Sequence, residues 1–348
     1  MRAMWSLTLD EDLAEIPRYL FDTVNGKAVM VTGATGLVGS LLIKALLYAN
    51  KAYGLSIAPV AVVRNPEKMA DVYGKYASSI EVVCCDLSRE VLCCPRPIDY
   101  VVHGAAVTTS RVMVERPVDV IDLALRGTES ALELAGSKGA RMVYLSSMEA
   151  YGTIDGNGKT DERKLGFVDS LAVRSCYPES KRMCENLCVA YHAQYGVEVC
   201  IARLAQTFGA GVLPGEGRAV VAFSRAASRG EEVVLRTRGL SDANYVYGSD
   251  AVSAILTLLG RGVSGEAYNV SNEVCHMTVA DMAELTVQTV GTPGARVRFD
   301  VDEANSSGFA PDAKLFLDSG KLSSLGWRPR VDMPEALRRL VSYLNEVA

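Results

Sequence analysis

The chain has 348 residues, 49% of them hydrophobic and 22% charged, with a formal net charge of −5 at pH 7. That length suits about two domains, and the composition is that of a well-cored globular protein. Its lysines and arginines are scattered through an acidic chain, which excludes the basic footprint of a nucleic-acid or anionic-membrane partner.

The N-terminus, "MRAMWSLTLDEDLAEI", carries acidic residues where a leader peptide needs an apolar core. No apolar stretch approaches the ~20 residues that cross a bilayer. A cytoplasmic protein is expected, with residues 1–26 forming a helical arm before the fold. Cys84-Cys85 and Cys93-Cys94 lack the Cys-x-x-Cys spacing of zinc knuckles, so no metal site is expected. Cys84 and Cys85 continue the apolar run "IEVVCC" and read as buried strand residues. Cys184, Cys188 and Cys200 fall in apolar periodicity and read as small core hydrophobes. An odd count without a leader fits reduced thiols.

In chain order, "KAVMVTG" (27–33) reads as a strand, "GLVGSLLIKALLYAN" (36–50) as a helix and "APVAVVR" (58–64) as a strand. "IEVVCCD" (80–86) and "IDYVVHGAA" (98–106) are further strands, followed by a helix near 117–137 and the strand "RMVYLSS" (141–147). "RSCYPESKRMCENL" (174–187) opens a helix with Ser175 as N-cap and Pro178 in the first turn, where its missing N–H costs no hydrogen bond. The strand "VEVCIARL" (197–204) follows. Near-continuous apolar strands separated by helices predict a doubly wound α/β fold, its parallel sheet covered on both faces. Beyond residue 205 the pattern loosens into a glycine-rich loop (209–219), a short strand and turn (231–239), a helix (249–260), a strand (266–272) and two more helices.

"VTGATGLVG" sets Gly33, Gly36 and Gly39 between the first strand and a long helix. Glycines there permit a tight turn and close approach of backbone to a pyrophosphate, which the helix N-terminus stabilises. Thr35, Leu37 and Val38 of the same turn join them as candidate dinucleotide contacts; a plain glycine turn is the alternative. Where an acidic residue would take the ribose diol of NAD, this chain has Arg64, which suits the 2′-phosphate of NADP or is a surface charge. Asp86, with Leu87 beside it, ends the third strand, placed for an adenine amino group or as an N-cap. Gly104, Ala105 and Ala106 close the fourth strand with small residues, for a cofactor crossing the sheet edge or for close packing.

Tyr177 and Lys181 are four apart and share a helix face. A tyrosine of pKa about 10 is a poor base, and a nearby lysine cation is expected to lower that value. With a serine at the end of the fifth strand, Ser146 or Ser147, to hold the reacting oxygen, the set suits proton removal from an alcohol while hydride leaves to a nicotinamide.

Taken with "HGAA", "LSSMEAYG", "YPESK", "RLAQTFGAG", "YVYGSDAVSAI" and "LGWRP", the chain from about residue 27 onward resembles the extended short-chain dehydrogenase/reductases, specifically the nucleotide-sugar epimerases and dehydratases. "RSCYPESKR" is most similar to UDP-glucuronate decarboxylases. The resemblance implies a Rossmann NAD(P)-binding domain over 27–205 with a return segment near 245–272, and a largely substrate-binding region over 206–348. It implies a homodimer and a nucleotide-sugar substrate. It places the catalytic Ser/Thr on Ser147, the Tyr and Lys on Tyr177 and Lys181, and a carboxylate acting at C5 on Glu149. Substrate contacts fall on Thr108, Ser147, Met148, Gln206 and Arg218. Met148 departs from the Asp of the dehydratases and the Ser of many decarboxylases, and a thioether cannot give a proton to departing water. Ala243 stands where many relatives carry a diphosphate-clamping arginine, leaving Arg218, Arg236 and Arg238 as substitutes.

Overall fold

In a computed structural model, which describes residues 5–156, 158–213, 215–301 and 314–348, two short helices lead the chain, α1 (Leu7–Ala14) and α2 (Tyr19–Asp22). Then come β1 (Ala28–Thr32), α3 (Leu37–Tyr53), β2 (Ala58–Val63), α4 (Lys68–Tyr73), β3 (Glu81–Cys84) and β4 (Tyr100–His103). They are followed by α5 (Ser110–Glu115), α6 (Pro117–Lys138), β5 (Arg141–Ser147), α7 (Cys176–Tyr195), β6 (Val199–Leu204), β7 (Gln206–Phe208) and α8 (Ala219–Ser228). The remainder holds β8 (Glu232–Leu235), β9 (Asp242–Tyr247), α9 (Gly248–Arg261), β10 (Ala267–Val270) and β11 (Asn272–Thr278). It closes with α10 (Val279–Val290), β12 (Arg296–Phe299), α11 (Gly320–Ser324) and α12 (Met333–Val347).

Seven strands form one parallel sheet in the order β10-β6-β5-β4-β1-β2-β3, the doubly wound plan expected from the apolar runs. Alternation along each strand builds its two faces: Val29 and Val31 of β1 join one apolar cluster, Ala28 and Met30 the other. Helices α3 and α9 cover the first face, α6 and α7 the second. The strand order reverses between β1 and β4, and in such folds ligands bind outside the carboxyl ends of the strands at this switch point.

β3 is the outermost strand on its side, which corrects one expectation. Cys84 is exposed and only Cys85 is buried, because Val82 and Cys84 share the open face of that edge strand. All nine cysteines are free thiols; Cys184, Cys188 and Cys200 are buried as expected. Among the described residues, no group of His, Cys, Asp or Glu is placed to hold a metal, and no helix is long and apolar enough to cross a membrane.

Two smaller sheets, β11-β9-β7 and β12-β8, build the region where the periodicity loosens. The "YGSD" and "LGWRP" stretches meet here. The Asp250 carboxylate accepts the backbone N–H groups of Arg330 and Val331, and Trp327 Nε1 donates to Ser253 Oγ at 2.9 Å. The N-terminal segment is tied in as well: Asp12 on α1 accepts from the Tyr247 hydroxyl at 2.7 Å and from Arg339 at 2.9 Å. Burial pushes the Asp12 carboxyl up to about 6.

Candidate functional site

The ends of β1 and β4 touch. A Cβ on Gly33, which has φ +67°, would lie 2.6 Å from the Gly104 carbonyl oxygen. A Cβ on Gly39 would lie 2.4 Å from the Gly33 carbonyl oxygen. Only glycine lets the turn fold this tightly against the switch point. Helix α3 starts directly behind it, and Gly36 offers its first turn no side-chain cap. That leaves helix N–H groups for an outside anion. Thr35, Leu37 and Val38 are half-buried along this turn.

Beneath the turn, Thr32 Oγ1 accepts the backbone N–H groups of Gly104 and Ala105 at 3.1 and 3.2 Å, so its own proton points to His103 Nδ1 at 2.8 Å. His103 therefore carries its proton on Nε2, facing Thr128 Oγ1 at 3.3 Å. The ring is fully buried, and desolvation pushes its pKa down to about 3. Ala105 and Ala106 follow, half-buried.

Helix α7 is fastened to β5 by side chains one turn apart. Lys181 Nζ donates to the Leu145 carbonyl at 2.8 Å, and Glu185 accepts from Ser146 Oγ at 2.6 Å. Arg203 on β6 closes on Glu185 from the other side with two hydrogen bonds, 2.9 and 2.6 Å, and this pair is buried. Ser175 sits at the cap position of α7, but its side chain makes no capping hydrogen bond.

The fastening brings the candidate catalytic set together. Ser147 Oγ accepts from Glu149 N at 3.2 Å and lies near enough to Tyr177 to favour its phenolate. Lys181 Nζ is 5.7 Å from the Tyr177 ring centroid. Glu149, in the turn after β5, is gripped by Arg174, whose Nη2 reaches both carboxylate oxygens at 3.2 and 2.9 Å. Arg218 donates to the Thr207 carbonyl at 2.6 Å and pairs with Glu216 at 2.9 Å, near enough to Tyr177 to favour its phenolate. The expected lowering of the tyrosine is not what this arrangement produces. Burial dominates and pushes Tyr177 up to about 12, and Glu149 pushes the same way. Burial also lowers Lys181, to about 8.

Other candidates stand further out. Arg64 is exposed at the end of β2, close enough to Asp86 to favour its carboxylate form. Asp86 Oδ1 accepts from Ser88 N at 3.1 Å and Ser88 Oγ at 2.7 Å, a capping role, and Leu87 is buried beside it. Thr108 is exposed beyond β4, Met148 is half-buried against the core, and Gln206 lies in β7 opposite Tyr245. Arg236 pairs with Asp300, and Arg238 is exposed.

The model of one protein family, NAD dependent epimerase/dehydratase, matches residues 29–271. The chain belongs to this family. UDP-glucuronic acid decarboxylase 1 of Xenopus tropicalis is 28% identical over 323 residues, covering 92% of this chain and 72% of that protein. UDP-glucuronic acid decarboxylase 6 of Arabidopsis thaliana is 28% identical over 309 residues, with 89% and 86% covered. Among solved structures, a dTDP-glucose 4,6-dehydratase from Streptomyces venezuelae with NAD bound has a TM-score of 0.74 at 25% identity, covering 92% of this chain and 97% of that one.

For this epimerase/dehydratase-family enzyme, sequence reasoning missed three parts of the site. Arg174 stands inside the stretch quoted for its tyrosine, but its partner Glu149 is 25 residues away. Glu185 continues the four-residue spacing of Tyr177 and Lys181, a signal that was available. The Thr32–His103 pair joins two strand ends and leaves no local pattern.

Proposed function

We propose that this enzyme acts on a nucleotide sugar through a transient 4-keto sugar, taking hydride and returning it within one catalytic cycle. The observation that carries the reading is the gathering of Ser147, Tyr177 and Lys181 at the carboxyl edge of the sheet, with Glu149 beside them. The glycine turn fits a dinucleotide, since Gly33 and Gly39 leave no room for side chains and α3 presents an uncapped start. A nicotinamide dinucleotide held by these residues supplies reversible hydride acceptance.

Tyr177 takes the proton of the C4 hydroxyl, and Ser147, beside the phenol, holds the reacting oxygen. A general base works best with its pKa near the working pH, so the positive groups around Tyr177 have to offset the burial that raises it. Lys181 supplies one such charge, fixed by Leu145. Once C4 is a ketone, a C6 carboxylate belongs to a β-keto acid and leaves as carbon dioxide, and the C5 carbanion takes its proton from a solvent water oriented by the Glu149 carboxylate. Hydride returning to C4, with the proton from Tyr177, completes the cycle. Met148 brings no acidic proton for dehydration, and the 28%-identical relatives are named for decarboxylation. UDP-glucuronic acid is therefore the substrate we assign first.

Exposed Val118 and Ile121 on α6 and Met183 and Val189 on α7 support pairing of two copies through these helices. The competing reading is a net NADP-dependent dehydrogenase of a smaller alcohol, favoured by Arg64 and Ala243. The two separate under excess substrate with catalytic NAD. Many equivalents converted without accumulating NADH support the proposal; one NADH per product overturns it.

A further inference from the structure

Arg174 lies in the 3-10 turn Val173–Ser175 that leads into α7. Its Nη2 bridges both oxygens of Glu149, and its guanidinium carbon is 5.9 Å from the Tyr177 ring centroid. The side chains of Arg174 and Glu149 keep 34% and 36% of their surface exposed, so the pair is partly open to solvent. We propose that Arg174 is a positioning residue that holds the Glu149 carboxylate and offsets its charge beside Tyr177. One small site then carries both a phenol that must lose a proton and a carboxylate that must stay ionised. This rests on the reading of Tyr177 as the proton acceptor.

The need for such a residue follows from what faces Tyr177. Glu149 approaches from the turn after β5, Arg174 from the turn before α7, Arg218 from the start of α8, Lys181 from its own helix and the Tyr144 phenol from β5. Glu149 disfavours a phenolate, whereas Arg174 and Arg218 favour it. Arg218 is already paired with Glu216, and Lys181 is fixed on the Leu145 carbonyl. Among the described residues, Arg174 is the cation that both hydrogen-bonds Glu149 and lies over the Tyr177 ring. A guanidinium suits the task, because its plane lies against an aromatic ring while its edge takes a carboxylate.

The test compares Arg174→Gln, Arg174→Lys, Glu149→Gln and the Arg174→Gln/Glu149→Gln double variant as NAD holoenzymes. Single-turnover NAD reduction with UDP-glucuronic acid is measured against pH. In Arg174→Gln the midpoint of the rising limb should move up by about one pH unit or more. In Glu149→Gln it should move down, and in the double variant it should return to the wild-type position. Arg174→Lys, which keeps the charge without the planar grip, should fall between. Phenolate absorbance without substrate, taken as wild type minus Tyr177→Phe, should titrate with the same shifts. An unmoved midpoint in Arg174→Gln, or shifts that fail to cancel in the double variant, would overturn the proposal. Wild-type turnover by Tyr177→Phe would instead overturn the proton-acceptor reading beneath it.

Discussion

Lys181 of α7 donates to the Leu145 carbonyl of β5 at 2.8 Å, and this hydrogen bond helps tie the helix carrying Tyr177 to the strand carrying Ser147. Lys181→Met keeps most of the buried bulk but loses both the tether and the charge. Turnover should fall about 10²- to 10⁴-fold, the usual range for lost acid–base catalysis. Tyr177→Phe should lose a similar factor while keeping its thermal midpoint. Because both act on one proton transfer, the double variant should be little worse than either single one. Multiplying losses in steady-state kinetics would separate the two residues.

Glu149 should matter at a later step. In Glu149→Gln a single turnover should still reduce the cofactor, followed by nicotinamide absorbance, while formation of the decarboxylated product stalls. Loss of cofactor reduction together with product would place Glu149 in the first hydride transfer instead.

His103 predicts a pH dependence of stability. Burial lowers its folded-state pKa to about 3, below the ordinary value of 6.5, so the unfolded chain binds the extra proton between these values. Stability then rises with pH across that window and is lost as pH falls, by about 1.4 kcal/mol per pH unit from this group. Asp12 and Asp250, both raised to about 6 by burial, act in the opposite sense. The stability difference between wild type and His103→Gln, from denaturant unfolding at pH 7 and pH 5, isolates the histidine. It should shrink at the lower pH; a constant difference would mean the imidazole is not held neutral.

Arg64 bears on cofactor choice. A guanidinium–phosphate hydrogen bond contributes roughly 1.5–3 kcal/mol, so Arg64→Asp should weaken NADP about tenfold or more relative to NAD in equilibrium titrations. Unchanged affinities for both cofactors would make Arg64 a surface charge with Asp86 as its neighbour.

Much of the main sheet was legible because both its faces are buried, which makes each strand a nearly unbroken apolar run. The strand at 141–147 is read residue for residue. β3 misled because it is an edge strand, and an apolar run says nothing about which side lacks cover. β7 was invisible as a strand: it is three residues long and pairs with β9, well along the chain. The four-residue spacing puts Tyr177 and Lys181 on one helix face, and the neighbouring motifs mark the pair as candidates. The direction of the tyrosine shift could not, because it is the sum of burial and charges from Glu149, Arg174 and Arg218, which only the fold brings together.

The measurement that bears most directly on the account is mass spectrometry of the product formed from UDP-glucuronic acid with purified enzyme and NAD. A product lighter by one carbon dioxide, formed over many turnovers with no net NADH, is the predicted result. Unaltered UDP-glucuronic acid, or an oxidised sugar accompanied by equimolar NADH, would contradict it.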